Sequence, residues 1–382
     1  MDEFGEVKIP FLTHFLELDD CRANNKSHKL LDILFLSVCA VLCGASNCVS
    51  IADFAKARLA WLRRFVALEG GAPSHDTISR VLASIDPVQF EKLFVNWTAA
   101  IQTKTKDEVL AIDGKTLRGS YDSANGLGAI HMVSAWASAN GLVLGQYKVN
   151  DKSNEITAIP QLLNMLDIEG RVVTVDAMGT QKEIARQIIE QKGDYMMAVK
   201  DNHPNLAADI GSFFKRNRDN NWLDGNADIV PHSKFRTVDG DHGRIETRTC
   251  WCSGELADID GVSAWKGMQS IIMVESQRQS NGKTSTEQRY YISSLAPRAK
   301  RCLEVTRTHW SIENNLHWVL DVAFREDEAR TRKGSGAQIH SALNKIVINL
   351  CKQNKRRMSI NRKRQLASWD TAFLDELLLG NC

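Results

Sequence analysis

The stretch HWSIENNLHWVLDVAF, residues 309 to 324, sets His309, Glu313 and His317 four apart among tryptophans and leucines. On a helix, side chains four apart share a face, so a carboxylate stands between two imidazoles on a half-buried surface. Three chemistries suit it. Glu313 could be a structural acid in an ion pair, a zinc ligand with its histidines, or one of a set of acids whose other members lie far away in the chain. The zinc reading lacks the H-E-x-x-H spacing and a placed third ligand. Two other acids each close an apolar run, Asp113 in AIDGK and Asp176 in VVTVDAMG. Taken singly, an aspartate at a strand end is most often a turn or helix cap. Three carboxylates brought together would repel one another, and hard divalent cations relieve that repulsion. Two Mg²⁺ ions on such a set can activate water or a 3′-hydroxyl and stabilise a leaving oxygen in phosphoryl transfer.

The elements that would position these acids follow from the apolar period. Residues 1 to about 100 read as helices throughout, a small N-terminal module whose most apolar run is LLDILFLSVCAVLCGA, residues 30 to 45. That run is shorter than a bilayer span and carries Asp32, so it reads as a buried core helix. Ser74 to Asp76 caps a short helix with Thr77, Ser79 and Arg80 on polar positions, which suits either a DNA-recognition helix or an ordinary bundle member. From residue 109 the period turns to strands: VLAIDGKTLRGS, then 130 to 148 as two antiparallel strands across Asn140-Gly141. A helix at 155–167, strand RVVTVDA, helix TQKEIARQIIEQKG, strand YMMAVK and helix NLAADIGSFFKR follow. Three strands, helix, strand, helix, strand, helix is the order of the RNase H-like fold, in which the first and fourth strands are neighbours and Asp113 can meet Asp176. Residues 218–300 return to strands, with a turn at Ser280-Asn281-Gly282-Lys283, and read as a β-rich insertion. The expected organisation is therefore α/β: a helical module (1–100), the first part of an RNase H-like catalytic domain (105–217), the insertion (218–300), the Glu313-bearing helical part (301–350) and a basic C-terminal segment (351–382).

Composition narrows the class. With 382 residues and a formal charge of +2, any nucleic-acid surface must be a local patch. Nine scattered cysteines without a paired C-x-x-C arrangement argue for reduced thiols in a cytosol and against a zinc ribbon. The start, MDEFGEVKIP, has neither the basic end nor the apolar core of a signal peptide, so a cytoplasmic protein without a membrane span is expected.

AIDGKTLRGS, VVTVDAMGTQ, AVKDNHP, HGRIETR and RTHWSIENNLHWVLDVAFREDEAR, in this order, resemble the DDE transposases of bacterial insertion sequences, in the branch that includes the H-repeat-associated proteins. The resemblance runs over nearly the whole chain, including PSHDTISRVLASIDP. It implies an RNase H-like catalytic domain with a β insertion before the Glu-bearing helix, and Asp113, Asp176 and Glu313 as catalytic and metal-binding acids. It also implies Mg²⁺, two ions with Mn²⁺ as a substitute, and cutting and joining of transposon-end and target DNA. A homodimer on DNA is implied because two ends must be synapsed. Many relatives carry Y-x2-R-x3-E-x6-K around the glutamate; here Thr306, His309 and Leu320 stand in place of the Tyr, Arg and Lys. Arg307, His309 and His317 are then the candidates for the DNA contacts of that segment.

Other basic and polar residues suit phosphate tracking: Lys115 and Arg118 after the first Asp, and Lys200 with Asn202 after the fifth strand. In HGRIETR a strand places His242, Arg244, Glu246 and Arg248 on one face, either a DNA-facing ladder or a solvated strand face. The basic C-terminal cluster reads rather as a solvated helix face. The expected activity is that of an insertion-sequence transposase. The rivals are an RNase H-like nuclease that only cuts, and a domesticated DNA-binding protein that no longer mobilises an element.

Overall fold

A computed structural model describes residues 9–22, 26–121, 128–149, 154–225, 228–241, 244–280 and 282–380. The chain folds as two compact units, one made of 1–103, 114–154 and 313–382, the other of 104–113 and 155–312. The strands are β1 (Val109–Leu117), β2 (Ile130–Ala137), β3 (Leu142–Lys148), β4 (Val172–Val175), β5 (Asp194–Val199), β6 (Ser233–Asp241), β7 (Arg244–Ser253), β8 (Ser270–Ser280) and β9 (Lys283–Ser293). Strand β1 carries the chain from the second unit into the first at Asp113-Gly114.

In the first unit the apolar run becomes helix Leu30–Leu42, buried on every side, as a helix apolar all round must be. Its one acid, Asp32, accepts the Leu68 backbone N–H at 3.2 Å, which gives a buried carboxylate a partner. Helix His75–Ser84 starts at Ser74, whose hydroxyl accepts from Thr77 N–H, and buries Ile78, Val81 and Leu82. Helix Pro87–Ile101 is capped by Asp86 and opens on a proline that has no N–H to satisfy. Among the described residues no helix is long and apolar enough to cross a membrane.

The strand order here is β3-β2-β1. The β2–β3 hairpin closes through Ser138–Gly141, with Gly141 at φ 64° donating to the Ala137 carbonyl at 2.9 Å. The connection is thus a four-residue loop around Asn140-Gly141 instead of a two-residue turn, and the Asn140 side chain is spent on both backbone groups of Thr103. Helix Gly336–Gln353, buried from Gly336 to Cys351, packs on this hairpin. Asn349 bonds both the N–H and the carbonyl of Val143. Gln146 of β3 donates to Glu91 and accepts from Lys345, which also donates to Ser341 at 2.8 Å. The basic C-terminal segment is only partly a solvated face: Lys363 is buried and donates to the Cys351 and Asn354 carbonyls, and buried Arg364 donates to Val41 O and Ala323 O.

In the second unit the order is β1-β4-β5-β9-β8-β7-β6. β1, β4 and β5 are parallel, joined by helices Glu155–Met165 and Lys182–Glu190 as parallel crossovers require. β9 then pairs antiparallel with β5, Met196 opposite Ser293, so the β-rich residues extend the sheet instead of standing apart from it. Helix Ala299–His309 lies on one face, where Ala299, Cys302, Leu303 and Val305 pack with Val109, Val172, Cys250, Cys252, Ile272 and Val274. Asn281 of the expected β8–β9 turn lies outside the described residues.

Candidate active site

The two aspartates are set by strand register. Ile112 of β1 is opposite Val175, the last residue of β4; Asp113 follows within β1, and Asp176 is the first residue after β4. Alternation along β1 puts Asp113 on the side of Val109, the side that helix Ala299–His309 covers. On β4 the same helix reaches Thr174, whose hydroxyl meets His309 Nδ1 at 2.9 Å, two residues before Asp176. His309 is therefore engaged with the sheet.

Asp176 also organises the turn behind it. Its Oδ1 accepts the Gly179 N–H at 2.9 Å and its carbonyl accepts the Thr180 hydroxyl at 3.0 Å. A Cβ on Gly179 would stand 2.8 Å from Ile159 Cδ1 and 3.0 Å from Val175 Cβ, so a larger residue there would displace these neighbours.

Glu313 begins the first unit's last segment. Where the four-residue spacing implies one helix over 309–324, the structure has three pieces: an α-helix ending at His309, a π-helical turn Glu313–His317 and a short helix Trp318–Val322. A π-turn of this kind inserts a residue into the helical repeat and re-aims the side chains that follow, and such turns recur at functional sites. Leu316 and Leu320 are buried, while the Glu313 side chain is 52% exposed and its Oε2 lies 3.5 Å from His317 Nδ1.

Lys115 has a definite local role. Its Nζ lies 2.7 Å from Asp321 and 2.9 Å from Asp327, and its side chain is only 10% exposed. Burial works against the ammonium, yet hydrogen bonds to Asp321 and Asp327 outweigh it and hold its pKa above the ordinary lysine value. Arg118, in contrast, is 81% exposed, with Nε 3.4 Å from Asp327. Asp321 and Asp327 carry no sequence signal of their own; they lie about two hundred residues from Lys115 along the chain.

Past β5, exposed Lys200 stands beside Asn202, which accepts the Lys200 N–H at 3.1 Å and donates to the Ala177 carbonyl. Asn202 thus ties the loop after β5 to the loop after Asp176. In β7, Arg244 and Arg248 both bond Glu246, at 2.7 and 2.8 Å, so alternation does place these three on one face. Arg278 of β8 joins Glu246, and Arg248 and Arg307 share Asp239. Burial raises Glu246, but Arg248, Arg244 and Arg278 outweigh it and hold its pKa below the usual value. The ladder is a mesh of four arginines on two acids, with a cationic surplus. Arg289 lies over the half-exposed Trp310 ring at 4.5 Å. His242 lies outside the described residues.

Asp113 in β1 and Asp176 just after the neighbouring parallel strand β4, with an arginine-rich face on β7 of the same sheet, make up the candidate site. Residues 104–350 match the family described as Transposase DDE domain, and residues 12–98 match the DDE_Tnp_1-associated family. The chain belongs to the DDE transposase family. It is 42% identical to "Putative transposase YncI" of Escherichia coli O157:H7, over 96% of this chain and 94% of that protein. It is 39% identical to "H repeat-associated putative transposase YhhI" of Escherichia coli strain K12, over 97% and 98%. A short match, 46% over 56 residues, is to "Inactive transposase YbfQ" of the same strain.

Proposed function

We propose that this chain is an insertion-sequence transposase that cleaves and joins phosphodiesters of double-stranded DNA, with Asp113, Asp176 and Glu313 as its catalytic acids. The observation that carries the reading is the register of Ile112 with Val175, which brings two aspartates to the same level of adjacent parallel strands in a chain of this family. Three oxygen donors of this kind fit Mg²⁺, or Mn²⁺ in its place, better than zinc, and His317 beside Glu313 is a further donor. When bound, such ions lower the pKa of water or a 3′-hydroxyl and offset charge on the leaving oxygen. The chain's own residues then have distinct tasks. Asp113 supplies negative charge from β1 and Asp176 from the turn that follows β4. Glu313 supplies the third charge from the π-turn Glu313–His317. Arg118, Lys200, Arg244, Arg248 and Arg307, with His309 and His317 near the acids, hold phosphates in place. Asn202 keeps the loops behind Asp176 and β5 in register.

In this reading the strand order β3-β2-β1-β4-β5 and its parallel crossovers are those of an RNase H-like domain spanning 105–217 and 301–350, with 218–300 as the insertion. Residues 1–100 engage the DNA end, residues 351–382 close the helical side, and two copies pair on DNA in the cytoplasm. The test is incubation with end-containing and scrambled duplexes in Mg²⁺, with products resolved on a denaturing gel. End-specific cuts with joined products support transposition. Cuts without joining support a nuclease, and binding without cuts a domesticated DNA-binding protein.

A further inference from the structure

The segment that carries Glu313 has little to hold it by itself. The helical run 311–322, with the π-turn inside it, is marginal in isolation, and on its outer face Trp318 is 60% and Val322 53% exposed. Its inner face is anchored by Ile312, Leu316 and Leu320, all buried.

We infer that Lys115 is a positioning residue: with Asp321 and Asp327 it forms an ionic clasp that holds the Glu313 segment to the strand carrying Asp113. The inference rests on the reading of Glu313 as a catalytic acid. Three observations carry it. Lys115 lies two residues beyond Asp113 on β1, and Asp321 lies in the short helix directly after the π-turn. Its side chain is 10% exposed and its Nζ lies within 3 Å of both carboxylates, so it is committed to them and poorly placed to meet a phosphate. A screened surface pair is worth little, but an ammonium this enclosed loses much if either partner goes. The third observation is a backbone fit beside the clasp. A Cβ on Gly119 would stand 2.3 Å from the Ala329 carbonyl oxygen, so the turn Arg118–Ser120 and the turn Glu326–Glu328 abut with no room for a side chain. Buried Glu326 in turn accepts from Asn344 at 3.1 Å, tying the clasp to the central helix. AIDGKTLRG and LDVAFREDEA are thus two halves of one device, with an acid at the head of the first and a second acid just upstream of the other.

The experiment compares wild type with Lys115→Ala, Lys115→Arg and the gentler Asp321→Asn. Hydrogen exchange of the 313–322 amides, Mn²⁺ affinity by calorimetry and the Mg²⁺ dependence of end-DNA cleavage are read on each. Faster exchange at 313–322 is expected in Lys115→Ala and Asp321→Asn. Metal affinity should fall about tenfold or more, the usual scale for losing a group that orients a ligand. Lys115→Arg, which keeps the charge, should recover most of it. If wild type binds Mn²⁺ and cuts while Lys115→Ala does both unchanged with unaltered exchange, the inference is overturned and the catalytic reading stands. If wild type neither binds Mn²⁺ nor cuts, the catalytic reading fails and the positioning role with it.

Discussion

Ile112 and Val175 face one another across the parallel pair of β1 and β4, and each is followed by an aspartate. Parallel strands keep a fixed stagger, so the register of β1 with β4 sets where the chain delivers Asp113, within β1, and Asp176, one residue past the end of β4. Asp176 has a second task, as acceptor for Gly179.

That double task gives the first prediction. Asp176→Asn keeps an oxygen for the Gly179 N–H but removes the charge. The melting temperature should stay close to wild type, and Mg²⁺-dependent cleavage should disappear. Loss of both together would make Asp176 a turn residue only.

The arginine mesh gives the second. Charge reversal at Arg244, 43% exposed on the side chain, should weaken binding to duplex DNA. It should also lower the slope of log affinity against log salt by about one or two, the number of counterions no longer released. An unchanged slope would make β7 a solvated face held by its own ion pairs.

How much of this was legible beforehand depends on the range of the interaction. Asp113, Asp176 and the helices between them announce themselves through local period, and β1 beside β4 follows from the order of strands and helices, which is that expected of an RNase H-like fold. The pairing of β9 with β5 does not, because antiparallel addition across the β-rich region is set by packing of distant residues. Nor does the π-turn: ENNLH has the apolar spacing of an ordinary helix, and only the surroundings select the wider turn. Lys115 looks like a phosphate contact because its neighbours in sequence are polar, whereas its partners come from 321 and 327. Lys363 and Arg364 look solvated for the same reason, yet they are buried donors to distant carbonyls.

A buried network yields a prediction about pH. Burial pushes the Glu91 carboxyl up to about 8, against the Gln146 and Lys345 interactions that lower it. A folded-state pKa raised above the unfolded value of 4.5 means that the native state binds the extra proton between those values. Its contribution to stability is therefore present below about pH 4.5 and lost as pH rises through about 8. Glu91→Gln is already neutral, so its stability relative to wild type should climb from pH 5 to pH 8, by an amount on the order of 1 to 3 kcal/mol. Denaturant unfolding of both proteins at the two pH values checks it. A constant difference would show that Glu91 titrates normally.

The central claim is that Glu313 is the third catalytic acid. Glu313→Gln keeps the shape of the side chain and removes the charge a divalent ion would need. Melting temperature, end-DNA affinity and Mg²⁺-dependent cleavage should be measured on one preparation of this variant. The account predicts unchanged melting, unchanged DNA affinity and no cleavage. A structural acid would instead lose roughly 3 to 5 kcal/mol of stability, and a zinc ligand would make activity follow zinc content and fail equally in His317→Ala. A Glu313→Gln protein that folds, binds and cuts like the wild type contradicts the account directly.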